Sequence, residues 1–365
     1  RALRKFGYTT YGLGRRVAYG CDGYDTYSIW RDERQFKNAI KMYIDYGVDI
    51  ISFNSEPDHP AKWIREVINE MGVQDRVKLV GDLHDIDSIR RPDNMIPIAE
   101  REMFNSADGI LYVSIPTMEI TNRLHANTKP NTVLYSYCNE GIIEYDEDKI
   151  AERKGLVYEG GANPPPKDER TQILHEMYTY RSLFGIMKKL VEMGNEVSMF
   201  CGNADAFVTY QNAGAKTFPP TEYDEMMERL TEYKYGIIIF NNEDGKKNQV
   251  NYTLTNKEEE YLQAGLPSLA CWCPETEKHV EKHGIGFVFK HIEEIGDTSQ
   301  LEDKYWEVME NIKQKRKELV MENYIWKLEN LYAQLLGVPR KGIPDKIKKI
   351  GIFEYGEEDI NNLLA

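Results

Sequence analysis

Three successive glutamates, Glu258, Glu259 and Glu260, stand near the start of the stretch NKEEEYLQAGLPSLACW at residues 256–272. Carboxylates ahead of an apolar half-turn, Gly265 and Pro267 read first as a capped helix. Thr255 is placed as N-cap, and Glu258, three residues on, completes a capping box. Acidic side chains in a first turn also suit the helix dipole. That accounts for Glu258 and Glu259 and leaves Glu260. The helix follows the apolar run YGIIIF (235–240) through a polar loop. Its free N–H groups and positive end, around Asn256 and Lys257, therefore make an anion site suited to a diphosphate. Glu260, one turn in, can accept hydrogen bonds from vicinal hydroxyls such as those of a ribose. The plainer alternatives are a solvated helix carboxylate for Glu260 and a surface lysine for Lys257.

Other residues could join that chemistry. His84 lies between Asp82 and Asp85, after the apolar run VKLVG. Histidine changes charge near neutral pH, and Asp85 can act as a general base or orient the ring. A hydrogen-bonded loop histidine and a helix-capping aspartate are the competing readings. Gly160 and Gly161 close the run GLVYE. They form either a simple turn or a loop that lets a phosphate approach the backbone. The segment YGLGRRVAYG (11–20) has neither G-x-G-x-x-G nor G-K-[ST], so a dinucleotide fingerprint and a P-loop are both excluded; Arg15 and Arg16 remain able to meet phosphate. The five cysteines, Cys21, Cys138, Cys201, Cys271 and Cys273, are odd in number and scattered. No second Cys or His pair stands at metal-ligand spacing, so no metal site is expected, and reduced thiols of a cytosolic protein fit the pattern.

The elements that must position these residues alternate along the chain. Apolar runs at 48–56, 76–85, 108–114 and 131–138 read as strands, and amphipathic helices fall at 60–72, 94–106 and 116–125. Trp63, Ile64, Val67, Ile68 and Met71 make one apolar helix face. The alternation restarts with strands at 155–159, 195–201, 214–219, 235–240, 267–271 and 285–289, and the clearest helix between them is 180–193. Strands this apolar, separated by helices, imply parallel sheets covered on both faces. The prediction is α/β: residues 1–138 form one Rossmann-like domain, 139–154 a charged linker that can act as a hinge, and 155–300 a second Rossmann-like domain. Helices at 301–336 and a tail at 337–365 follow. The chain starts inside a helix, so a first strand and its loop are expected ahead of residue 1. At 365 residues two domains are comfortable. The net charge of −14 argues against a general nucleic-acid binder, and no apolar run approaches the ~20 residues of a membrane span.

On these segments the chain resembles the retaining glycosyltransferases of the GT-B fold (glycosyl transferase group 1, family-4-like). NKEEEYLQAGLPSLA is similar to their donor-site motif, N-K-x-x-E-Y-L-x-A-G-x-P, and GLVYEGGANPP to the first strand and glycine loop of their C-terminal domain. YRSLFGIMKKLVEMGNEVSMFCG, FPPTEYDEMMERLTEYKYGIIIF and VEKHGIGFVF follow in the family's order. VKLVGDLHDIDSIR and EREMFNSADGILYVS resemble the acceptor-side domain. The likeness covers about residues 1–335. It implies an interdomain cleft in which Glu260 holds the ribose hydroxyls of a nucleotide sugar, and the backbone at Asn256 and Lys257 and the Gly160–Gly161 loop meet the diphosphate. By the same likeness Tyr223 and the Phe218–Pro219 turn hold the base, though core packing also explains Tyr223, and His84 and Asp85 lie by the transferred sugar and acceptor. Two departures stand out. Tyr252 occupies the position, eight before Glu260, where many retaining members carry a second Glu. The usual Arg and Lys after the first strand are replaced by GGANPPPK, with Lys167 late.

The function implied is transfer of a sugar from a nucleoside diphosphate, such as a UDP- or GDP-sugar, to a hydroxyl acceptor, with retention and without a metal or separate cofactor. The acceptor can be a glycan, a lipid-linked molecule or a small molecule. The alternatives are a nucleotide-sugar 2-epimerase of the same fold and a degenerate glycosyltransferase-like binding protein. A dehydrogenase is disfavoured by the missing fingerprint glycines. The expected location is the cytoplasm, with the basic stretch Lys341–Lys349 compatible with docking at the inner face of a membrane.

Overall fold

The computed structural model describes residues 1–16, 23–55, 58–90, 96–164, 178–201, 204–219, 221–245, 249–345 and 347. Cys21, Lys167, the end of YGLGRRVAYG and most of the basic stretch after Lys341 lie outside them. The chain forms two compact units. One comprises Arg1–Ser88, Asn94–Tyr135 and Met321–Ala365, the other Ile89–Asp93 and Ser136–Val320.

In the first unit β1 (Tyr11–Gly14) and β2 (Thr26–Ile29) pair in parallel as a small separate sheet. The main sheet is β3 (Ile50–Asn54), β4 (Lys78–Leu83), β5 (Gly109–Tyr112) and β6 (Asn131–Val133), parallel and in chain order. Every residue of β5 is buried. The Pro60–Glu70 helix starts with proline at its first position, where the missing N–H costs nothing. It buries Ile64, Val67 and Ile68 of the predicted face, while Trp63 meets Trp30 edge-on at 6.2 Å. The strand predicted over 131–138 is shorter: after Leu134 donates its N–H to Tyr112, the chain leaves the ladder.

The region read as one helical block over 301–336 is divided. The Glu302–Glu318 helix belongs to the second unit, whereas Met321–Tyr324 and Trp326–Leu336 belong to the first. The last helix packs on β5 and β6, burying Trp326, Leu328, Leu331 and Tyr332. It is tied to the start of the chain, since Tyr8 donates its hydroxyl to Glu329 at 3.0 Å and Lys5 pairs with Glu322. Lys341, the first residue of the expected membrane-docking stretch, also pairs with Glu329, so its charge is already met within the unit. Among the described residues no helix is long and apolar enough to cross a membrane.

The second unit is one parallel six-stranded sheet. Its strands are β7 (Lys154–Gly160), β8 (Val197–Cys201), β9 (Lys216–Phe218), β10 (Tyr233–Ile239), β11 (Ser268–Cys271) and β12 (Gly286–Val288). Their order is β12-β11-β10-β7-β8-β9, which is the dinucleotide-type Rossmann order, with the reversal between β7 and β10. Residues 139–154, expected as a linker, are part of this unit. Ile142 and Ile143 pack on its core. Tyr145 lies under the guanidinium groups of Arg153 and Arg316, 4.7 and 4.4 Å from its ring centre. Such contacts between scattered aromatic and basic residues leave no periodic trace in sequence.

Candidate functional site

In an open parallel sheet, ligands bind beyond the carboxyl ends of the strands where the strand order reverses. In the second unit that point is the end of β7 and β10, and the Asn256–Ala264 helix is the one that leaves β10. Tyr261 fixes this helix to the sheet. Its ring lies so close to β10 that a Cβ added at Gly236 would come within 2.2 Å of it. Its hydroxyl accepts the Glu159 N–H at 3.2 Å and lies 3.3 Å from the Val157 carbonyl, to which it can donate. One buried tyrosine thus spans the switch point and sets the neighbouring Glu260 beside the end of β7.

Glu260 is hydrogen-bonded to Glu159 and to the Tyr223 hydroxyl. Burial, and then the charge of Glu159, push its carboxyl well above the usual carboxylate range, against the pull of Lys257. Tyr223 also lies 3.7 Å from the Cys138 sulfur. Its place is therefore in the Glu260 cluster, with part of its ring against the core. Phe218 stacks on Phe200 at 5.1 Å, with Arg229 over both rings.

The glycine loop is built for close approach. Gly160 has φ +110°, a conformation side chains resist, and a Cβ there would stand 2.9 Å from the Lys257 ammonium. A Cβ at Gly161 would stand 3.2 Å from Nη1 of Arg181. Tyr158 donates its hydroxyl to the Gly161 carbonyl at 2.8 Å, and the Asn163 N–H donates to the Arg181 carbonyl at 2.8 Å. The loop and the arginine are therefore held together by backbone. Lys257 Nζ lies 3.9 Å from Glu159 Oε1 and over the Tyr158 ring. Two cations flank two glycines next to a carboxyl pair, Glu159 buried and Glu260 partly buried. Asn256 is exposed at the helix start.

The expected capping box is absent. The Thr255 side chain makes no cap bond; the Thr255 N–H donates to Thr276 at 3.3 Å, and Glu258 turns to His279. Burial draws Glu258 away from the helix start, so it is neither a cap partner nor a solvated side chain.

The structure brings together Glu260, Lys257, Gly160, Gly161 and Tyr223, with Asn256 opening the same helix. Two contributors were not singled out from sequence, Glu159 and Arg181. A charged residue closing the buried strand LVYE directly before two glycines was the available sign for the first. Arg181 is twenty residues from the loop it flanks, and nothing local marks it. His84 and Asp85 belong to the first unit, just past β4. His84 Nε2 is 3.1 Å from Asp82 Oδ1, and the Asp85 N–H donates to the Ser55 hydroxyl at 3.2 Å. The Asp82 carboxylate raises the pKa of His84, against burial. The following turn is anchored by Glu100, which accepts the N–H and hydroxyl of Ser88 at 2.8 and 2.6 Å and meets His125 at 2.7 Å. The helix after Asp85 begins at Asp87.

No protein-family model matches this chain, and no curated protein matches it. Solved structures do. Sucrose-phosphate synthase from Thermosynechococcus elongatus aligns with a TM-score of 0.63 and 12% identity over 92% of this chain and 91% of that one. A glycosyltransferase from Rickettsia africae ESF-5 aligns at 0.60, with 11% identity over 92% of each. Anabaena Alr3699/HepE in complex with UDP aligns at 0.57, with 11% identity over 83% of this chain and 85% of that one. Two parallel Rossmann-like units in this order, and these likenesses, give the chain the GT-B fold of glycosyltransferases.

Proposed function

We propose that this chain is a glycosyltransferase whose donor, a nucleoside-diphosphate sugar, binds at the carboxyl ends of β7 and β10. The observation that carries the reading is the Gly160–Gly161 loop flanked by Lys257 and Arg181, beside the partly buried Glu260 carboxyl. A diphosphate needs fixed positive charge and donors close to the backbone, and the two cations, the loop amides and the helix start supply them. A ribose needs a carboxylate for its paired hydroxyls, which is the role of Glu260. As the sugar–phosphate bond breaks, negative charge grows on the departing diphosphate. Lys257 and Arg181 stand where that charge develops, and such preorganised stabilisation is the main source of rate. Arg181 supplies positive charge where the segment after the first strand lacks the Arg and Lys usual in the resembled family.

On the first unit, His84 with Asp82 and Asp85 is the group suited to the acceptor hydroxyl and its proton. The acceptor class we propose is a hydroxyl of a glycan, lipid-linked or small molecule, and the stereochemistry is retention. UDP, held by the similar Anabaena protein, is the first nucleotide to test. A thermal-shift panel of nucleoside diphosphates and nucleotide sugars should show stabilisation by one base. That stabilisation should be lost in the Lys257→Ala/Arg181→Ala double variant and kept for no other nucleotide. Equal shifts in wild type and variant sink the reading.

Glu159 keeps a second reading open. A nucleotide-sugar 2-epimerase needs a further acid–base carboxyl by the donor, and Glu159 is buried against Glu260. Incubation with donor alone separates the two. An epimerase changes the sugar with no acceptor present, whereas a transferase gives only slow hydrolysis.

A further inference from the structure

The two sequence neighbours of Glu260 go elsewhere. Glu258 is 0% exposed and Glu259 1%. One oxygen of Glu258 and both oxygens of Glu259 are buried without a hydrogen-bond partner. Across from them, on the Pro274–His283 helix, His279 is buried and contacts Glu258 through Nδ1. One ligand atom from each of Glu258, Glu259 and His279 lies within 4.8 Å of the other two. Carboxylates taken out of water require donors or opposite charge. Here the nearby Glu275 adds further negative charge.

We propose that Glu258, Glu259 and His279 form a divalent-cation site that ties the donor helix to the helix after β11. Two carboxylates and one imidazole are the ligand set of a borderline ion such as Zn²⁺ or Mn²⁺. Mg²⁺ prefers an all-oxygen shell that keeps several waters, which a site this enclosed does not offer. Two carboxylates and a doubly charged ion also cancel in charge. Cys273 takes no part, because its thiol donates to the Ile238 carbonyl at 3.3 Å. His283, one turn on, has its ring 4.3 Å from that of His279 and packs it in place. With no ligand reaching the surface, the ion is acquired as the chain folds. The three ligands come from two helices some twenty residues apart, so no local spacing announced them. The site is structural and independent of the sugar-transfer reading.

The test uses metal content, not activity. Full-length protein is unfolded with a chelator, then refolded with chelator alone or with Zn²⁺, Mn²⁺ or Mg²⁺ alone, dialysed, and analysed for bound metal and thermal midpoint. The expected result is about one Zn²⁺ or Mn²⁺ per chain, a raised midpoint, and at least about a tenfold loss of bound ion in Glu259→Gln and His279→Ala. Should those variants not fold, the wild-type refolding yield decides, and it should rise with Zn²⁺ or Mn²⁺ over chelator. A wild type that refolds equally well in every arm with no retained ion overturns the site. So do folded variants that keep the ion.

Discussion

At the residue scale, each side chain of the candidate site is set by one strong neighbour. Asp82 beside His84 raises the imidazole pKa above its ordinary 6.5. The contribution of this pair to stability is fully present below about 6.5 and is lost as pH rises through the raised folded value. An NMR titration of His84 should give a midpoint above 6.5, falling toward it in Asp82→Asn. His84→Ala should lower kcat by about 10²-fold or more, with nucleotide affinity unchanged because the donor residues lie on the other unit. A wild-type midpoint at or below 6.5 contradicts the assignment. What was legible here were residues whose motif announced them: Glu260, Lys257 and the paired glycines. Glu159 and Arg181 were not, because their roles exist only once the sheet brings the strand end to the helix and Arg181 to the loop.

At the element scale, the strand and helix pattern was visible in the sequence because apolar periodicity reports burial directly. Element ends were less so. The Thr255–Glu258 capping box is a sound local inference that tertiary packing overrides, since Glu258 is drawn to His279 and Thr276 serves the Thr255 N–H. The turn after His84 depends likewise on a remote contact, the Glu100 carboxylate. Burial pushes its pKa up, but the bonds from His125 and Ser88 win and hold it below the ordinary 4.5. The associated stability is present above about 4.5 and lost as pH falls through the lower folded value. His125→Ala leaves that carboxylate buried with one partner fewer, and should cost on the order of 3 kcal/mol in denaturant unfolding. A change under about 0.5 kcal/mol, the ordinary effect of a surface substitution, removes Glu100 as the anchor.

At the scale of the whole molecule, the first described segments and the Met321–Tyr324 and Trp326–Leu336 helices lie in the same unit. The Trp326–Leu336 helix covers β5 and β6, although the pattern of the sequence joins it to the helix before it. Periodicity reveals that such a helix has an apolar face and is silent on which sheet receives it. Removing residues 321–365 should therefore expose the first unit while leaving the second intact. Hydrogen exchange should show loss of protection in β5 and β6 and near-native protection in β7 and β10. Uniform loss over both units contradicts the division. The two-unit fold accounts for a chain that shares its architecture with proteins of 12% identity or less: buried strands and tight loops are preserved by many different residues.

The central claim is that one carboxylate on the Asn256–Ala264 helix grips the sugar of a nucleotide whose diphosphate lies on the Gly160–Gly161 loop. Isothermal titration of UDP and GDP into wild type and Glu260→Gln tests it most directly. The account predicts that one nucleotide binds wild type and binds the variant about tenfold more weakly, the worth of one hydrogen bond. No binding of either nucleotide to wild type, or equal binding to both proteins, contradicts it.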